Sequence, residues 1–353
     1  MELETAYRGV EARLARLDFG ALYGGFHPFP FALYDADRAF TDGKYISKPS
    51  EFLGNTSVRY EGRQIAIWNL TQAEEDLDVL SSKLAHEMLH AFQHDMEEKR
   101  WADERAALVR YRYDADSFSV KLEEAARMKT CLENDAPEAF ERLLSLRKAR
   151  AARFPFEYDY EARIEQIEGT ANYVELAALE RLAPEKAARR RKRMLSELID
   201  PASYFPVRPI TYLSGAAFLM CLKKYAAFDE AARPAVPFAV AATEGAKPCE
   251  LPGTDARVKD CLGSWLERLS DEVQKAKGKG DVALKGKMRL VAWNVYDAVR
   301  YGEYALLNNF IGYIEGDELP DTDEELFRSM KLLYGDFAAE LDANLCMTRV
   351  FRR

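Results

Sequence analysis

Residues 84–94 read Leu84-Ala85-His86-Glu87-Met88-Leu89-His90-Ala91-Phe92-Gln93-His94, and the two histidines that bracket Glu87 stand four positions apart. On an α-helix, positions i and i+4 lie one above the other on one face, so a helix here aims both imidazoles at a common point. The flanking residues predict such a helix. Thr71 with Glu74 three positions on forms a capping-box signature, and Leu77, Leu80, Leu84, Met88 and Phe92 continue an apolar stripe. The expected helix runs from near residue 72 to near residue 99. Only four histidines (His27, His86, His90, His94) occur among 353 residues, so three of them on this one segment is a concentration that a plain polar surface does not require.

Two imidazoles at that spacing can both reach one ion at about 2.0–2.1 Å, and HExxH on a helix is the pattern of a zinc site whose glutamate serves as general base. Glu87, adjacent to the first histidine, is placed to take a proton from a water whose pKa Zn²⁺ lowers from about 15.7 towards 7. A purely structural zinc has no use for a base and would take four protein ligands. His94 lies about 12 Å from His86 along the helix axis, too far to share the ion, and is expected to stand behind the ligands or to be merely polar. Met96 occupies the position six residues past His90, so the third ligand must come from elsewhere. The first choice is Glu168 in Ile164-Glu-Gln-Ile-Glu168-Gly-Thr-Ala-Asn-Tyr-Val-Glu175, within an expected helix over 159–181; Glu165 and Glu175 on neighbouring faces are the alternatives.

Outward from this centre the chain changes texture. Residues 2–18 carry Leu3, Val10, Leu14 and Leu17 among charges, an amphipathic helix. Residues 19–70 hold short β-prone runs (Phe31–Tyr34, Ser57–Tyr60, Gln64–Trp68), with Glu61-Gly62-Arg63 as a hairpin-like turn between the last two. Further helices are expected over 101–130, 136–152, 159–181, 185–199 and 211–228, broken near Pro155, Pro184, Pro201 and Pro209, with loops at 245–255 and 275–287. There is no internal repeat. The fold class is α+β: an N-terminal lobe (1–100) with a small twisted sheet and the HExxH helix, and a mainly helical lobe (101–353) carrying the third ligand, the two forming one catalytic unit.

Composition bounds the partners. Lys plus Arg number 50 against 59 Asp plus Glu, a formal net charge of −9, which argues against nucleic acid or anionic lipid and for a peptide, protein or small-molecule partner. The basic run Arg189–Arg193 falls inside an expected helix, where its charges spread around a solvated surface. No apolar stretch approaches the roughly 20 residues of a membrane span, and the acidic start Met1-Glu2-Leu3-Glu4 lacks a signal-peptide pattern. Five widely spaced cysteines without a CxxC pair are expected to be reduced and mostly buried, which fits the cytoplasm.

HExxH on one helix and Glu168-Gly169-Thr170-Ala171-Asn172-Tyr173 on a later one resemble the gluzincins, the thermolysin-like superfamily of zinc metallopeptidases. The resemblance covers roughly residues 57–225 and departs in spacing: 77 residues separate His90 from Glu168, far more than in the best-known members. It implies a zincin-like fold with His86, His90 and Glu168 as zinc ligands and Glu87 as general base. Asn172 matches the position where many members carry an aspartate that orients the first histidine. Tyr212, in Tyr212-Leu-Ser-Gly215, resembles the tyrosine that some members turn to the substrate oxyanion, and Arg208 is a weaker candidate for that charge or for a substrate carboxylate. Gln64–Trp68 corresponds in order to the edge strand along which such enzymes bind an extended peptide. The expected function is zinc-dependent peptide-bond hydrolysis; the alternatives are a non-catalytic zincin-fold binding module and a zinc hydrolase of a non-peptide amide or ester.

Overall fold

Short apolar runs punctuated by Asp42-Gly43 and Glu61-Gly62 make the first sheet. Both residues of each pair hold positive φ (50° and 75°, 47° and 81°), the two-residue hairpin geometry in which the second position suits glycine. The computed structural model describes residues 2–353 apart from 72–75, 227, 230–233 and 317. Its strands β1 (Phe31–Tyr34), β2 (Arg38–Thr41), β3 (Lys44–Ser47), β4 (Thr56–Tyr60) and β5 (Arg63–Asn69) form a sheet of order β3-β2-β1-β5-β4, in which β1 and β5 run parallel and the other pairs antiparallel. Gln64–Trp68, expected at the edge, is therefore interior. Ile65, Ala66 and Ile67 are wholly buried, as in a strand covered on both faces, and the edge beside it is β4.

Helices α1 (Leu3–Leu14) and α2 (Phe19–Leu22) precede the sheet, and α3 (Leu77–Asp95) follows it. The expected capping box does not start α3: Glu74 lies outside the described residues, and the Thr71 hydroxyl donates to Asn69 instead. The Asp76 carboxylate accepts from the N–H groups of Asp78 and Val79, so the helix begins five residues later than expected. Its apolar face (Leu80, Leu84, Met88, Phe92) shares one core with Leu3 and Val10 of α1, Phe31, Leu33 and Phe40 of the sheet, and Ala171, Val174 and Ala178 further along the chain. The HExxH helix is thus clamped from both sides.

A helical layer follows: α4 (Glu104–Arg110), α5 (Ala115–Glu133), α6 (Pro137–Arg153), α7 (Pro155–Ile164), a π turn at Glu165–Gly169, α8 (Thr170–Leu182), α9 (Pro184–Leu198), α10 (Val207–Tyr225) and α11 (Phe238–Ala241). The single helix expected over 101–130 is two, because Asp114 caps a fresh start at Ala115. Pro155 and Pro184 each occupy the first turn of a new helix, where the missing N–H costs nothing.

The 101–353 lobe is helical only as far as α12 (Ala256–Lys279), and this corrects the expectation. Beyond it lie β6 (Val282–Trp293), β7 (Val299–Tyr301), β8 (Tyr304–Leu307), β9 (Phe310–Glu315), α13 (Asp323–Ser329), β10 (Lys331–Tyr334), β11 (Phe337–Leu341) and β12 (Cys346–Arg352). These strands form an antiparallel sheet of order β10-β9-β6-β12-β11-β8-β7, covered by Leu262, Trp265, Leu269 and Val273 of α12. The 275–287 stretch reads as a loop because it is rich in Lys and Gly. Those lysines instead decorate the end of α12 and the exposed start of β6. No described helix is long and apolar enough to cross a membrane. All five cysteines are free, but only Cys131 and Cys221 are buried, fewer than expected.

Candidate metal centre

His86 and His90 project from one face of α3 with their Nε2 atoms 3.1 Å apart. Glu168 brings Oε2 to 3.4 Å from His90 Nε2 and 3.9 Å from His86 Nε2. Donors bound to one ion at 2.0–2.1 Å in a tetrahedron stand about 3.3–3.4 Å from one another, so this triangle has close to the size of three corners of a zinc site. Among the described residues it is the one group of three or more His, Cys, Asp or Glu side chains arranged to hold a metal. Three protein donors leave a fourth corner for a water or substrate oxygen.

The charges of the cluster act strongly on one another. Burial opposes charge on His90, yet the carboxylate of Glu168 against it lifts its pKa to about 9. Burial likewise disfavours a charged Glu168, but His90, Arg208 and His86 outweigh it and hold the carboxyl at about 2. His90 and Glu168 thus face each other as a buried charged pair.

Glu87 is buried and makes no hydrogen bond or ion pair among the described residues. Burial pushes its pKa up, opposed by the two neighbouring histidines. Its oxygens are nonetheless not among the sealed, partnerless polar atoms of the core, so the carboxyl borders the cluster and remains reachable from outside.

A surrounding layer orients the ligands. Gln93 accepts from His90 Nδ1 through Oε1 at 2.8 Å, and its amide donates to the Ile167 carbonyl and the Thr170 hydroxyl, tying α3 to the Glu168 segment. Sequence reasoning passed over Gln93; its signal was the i+3 spacing from His90. The side chain beside His86 Nδ1 is Glu175, at 3.3 Å though without the alignment of a full hydrogen bond, and Arg190 holds the other Glu175 oxygen at 3.1 Å. The family resemblance implied this role for Asn172, which lines a cleft next door.

Glu168 reaches the histidines from the π turn, a one-residue excess in the helix that rotates it away from its neighbours. Glu165 turns the other way: Arg147 grips it with two bonds of 2.8 and 2.7 Å, and the Ser214 hydroxyl donates to it. It belongs to a buried ionic network with Lys121, Glu124, Arg150 and Glu161 and is not available to the ion. Arg208 of α10 donates to Glu168 Oε1 at 3.2 Å, leaving Oε2 to face the imidazoles, and to the Tyr212 oxygen at 3.0 Å. It also pairs with Glu104, so its charge is already committed. Burial, then the nearby Glu168 charge, keeps the Tyr212 phenol protonated and able to donate.

The remaining histidines stand apart from the ion site. His94 is exposed and stacks on Trp101, and His27 stacks on Phe29. Of the basic run, Arg189, Arg190, Lys192 and Arg193 are exposed as expected, and Arg190 and Arg193 also border the Asn172 cleft. No family model matches this chain, and neither does any curated protein or solved structure.

Proposed function

We propose that the chain is a zinc-dependent metallopeptidase of zincin-like α+β architecture, with His86, His90 and Glu168 holding Zn²⁺, Glu87 as general base and Tyr212 assisting at the carbonyl oxygen. The observation that carries this reading is the triangle of donor atoms, with sides of 3.1, 3.4 and 3.9 Å, beside the largely buried Glu87, which makes no hydrogen bond or ion pair among the described residues. Bound Zn²⁺ would supply Lewis acidity, lowering the pKa of water and polarising the scissile carbonyl. Glu87 takes a proton from the attacking water and passes it to the leaving amine nitrogen; its burial raises its basicity towards what neutral-pH proton transfer needs. Tyr212, whose oxygen already accepts from Arg208, has its hydroxyl beside Glu168 and would turn it to the developing oxyanion. The outer edge of β4 offers an extended peptide a line of main-chain partners. Five thiols outside any disulfide suit a cytoplasmic setting.

A non-catalytic zinc module would favour four protein ligands and would have no need of an unpaired Glu87. The test combines metal analysis of the purified protein with incubation in a diverse peptide mixture read by mass spectrometry, for the wild type and Glu87→Gln. One zinc per chain in both proteins, with cleavage slowed by about 10²–10⁴ in the variant, is the expected result. Absence of zinc after reconstitution, or cleavage within a few-fold of wild type in Glu87→Gln, removes the reading.

A further inference from the structure

Beside the metal centre lies a cleft of about 380 Å³ whose walls include Asn172, Arg190, Arg193, Glu197, Tyr212 and Tyr296. Two of these walls continue directly into the site. Asn172 stands one turn beyond Glu168 on α8, and Tyr212 shares Arg208 with Glu168. The third wall arrives from the C-terminal sheet. Tyr296, in the β6–β7 loop, meets Tyr212 edge-on with ring centroids 5.9 Å apart and planes at 88°, yet keeps half its surface exposed. Its loop is braced: the Asn294 side chain accepts from the Tyr296 N–H and donates to Asp297, whose other oxygen accepts from Asn308.

The charges around this cleft are unequally committed. Glu175 accepts from Arg190, Glu197 accepts from Arg193 Nε at 2.6 Å, Asp297 is held by two asparagines, and Arg208 is saturated by Glu104, Glu168 and Tyr212. The carboxylates therefore already have partners. Arg190 and Arg193 each use one N–H group in these bonds and keep the rest of the guanidinium fork without a protein acceptor among the described residues. A guanidinium fork with open donors matches a carboxylate. The cleft lining itself carries two arginines against one carboxylate, Glu197.

We propose that this cleft is a substrate subsite that binds a carboxylate of the peptide next to the scissile bond, with Arg190 and Arg193 as donors and Tyr296 as the aromatic wall. The proposal rests on the metallopeptidase reading and deepens it: the substrate class is peptides bearing an acidic side chain or a free C-terminal carboxylate at that position. It also gives the C-terminal sheet a part in the site, through the loop that presents Tyr296.

Binding read without turnover separates this proposal from the activity itself. Zinc-loaded Glu87→Gln protein is titrated by fluorescence anisotropy with labelled alanine-based peptides that carry Glu, Gln or Lys, each with a free or an amidated C-terminus. A carboxylate-bearing peptide should bind about tenfold or more tightly than its uncharged counterpart, with the advantage shrinking as salt rises. Preference that follows the side chain identifies an acidic residue, and preference that follows the free terminus identifies the main-chain carboxylate. Arg193→Gln and Tyr296→Ala, made in the same background, should reduce the preference while zinc content stays at one per chain. Equal binding of charged and uncharged peptides, no binding of any of them, or a preference untouched by a joint Arg190→Gln and Arg193→Gln change overturns the subsite. Failure of the wild type to cleave any of these peptides counts against the hydrolytic reading instead, and leaves a measured carboxylate preference standing.

Discussion

Gly169 and Gly215 pack backbone against backbone: a Cβ on Gly169 would stand 2.6 Å from the Gly215 Cα, and one on Gly215 would stand 2.8 Å from the Gly169 Cα. This contact sets the distance between the π turn that carries Glu168 and the α10 helix that carries Arg208 and Tyr212. Gly215→Ala must therefore push the two apart, since the clash is with main chain and no flexible side chain can yield. The expected cost is about 1–3 kcal/mol of stability, together with weaker zinc binding because Glu168 is displaced. Urea unfolding and competition with a chromophoric chelator measure the two effects. An alanine variant with wild-type values in both would show that the contact does not fix the ligand.

Two glutamates on the ligand-bearing segment should separate cleanly by their partners. Glu175→Ala removes the carboxylate beside His86 Nδ1 and should weaken zinc affinity by about 10–100-fold with the fold intact. Glu165→Gln should act on stability instead, at about 3–5 kcal/mol, because it leaves Arg147 buried with only Glu124 at 3.7 Å as an anionic neighbour. Reversal of the two phenotypes would exchange their roles.

What the sequence made legible follows the range of the interactions involved. HExxH was readable because i and i+4 share a helix face whatever the tertiary fold, and the structure brings His86 and His90 together on those terms. Glu168 was already the first choice from the sequence, but what turns it towards the histidines and Glu165 away is a π turn, a one-residue change of phase that no apolar periodicity encodes. Asn172 lines the neighbouring cleft, and the carboxylate beside His86 Nδ1 is that of Glu175. The C-terminal sheet was missed because the lysines and glycines at 275–287 suggested a loop, although Met288 and Leu290 alternate as buried residues of a strand. Tyr296 lies more than eighty residues from Tyr212 in sequence, and only the sheet's topology brings the two rings together.

Tyr212→Phe keeps the ring that packs against Tyr296 and deletes the hydroxyl that accepts from Arg208. Turnover of a cleaved peptide should fall by about 10²–10³, the usual cost of losing one donor to an oxyanion, with zinc content unchanged. Steady-state kinetics beside metal analysis decides it. An undiminished rate would make Tyr212 a packing residue.

Acid sensitivity should be traceable to Glu161, at the centre of the network behind the site. Burial raises its pKa, but Arg150 and Lys121, with hydrogen bonds from Lys121 and Tyr111, overcome this and hold it at about 2, against 4.5 for the free side chain. A carboxyl depressed by folding stabilises the native state fully above its unfolded pKa and loses that contribution as pH falls towards its folded one. A shift of this size corresponds to about 3 kcal/mol. Glu161→Gln cannot titrate, leaves Lys121 buried without its carboxylate and takes from Arg150 one of its two anionic partners, Glu124 remaining, so it should be less stable than wild type at pH 7. The gap should hold constant down to about pH 5 and narrow between 4.5 and 2. Denaturant unfolding of the metal-free proteins across that range measures the gap without interference from zinc release. A gap independent of pH would show that Glu161 is not the residue whose protonation loosens this network.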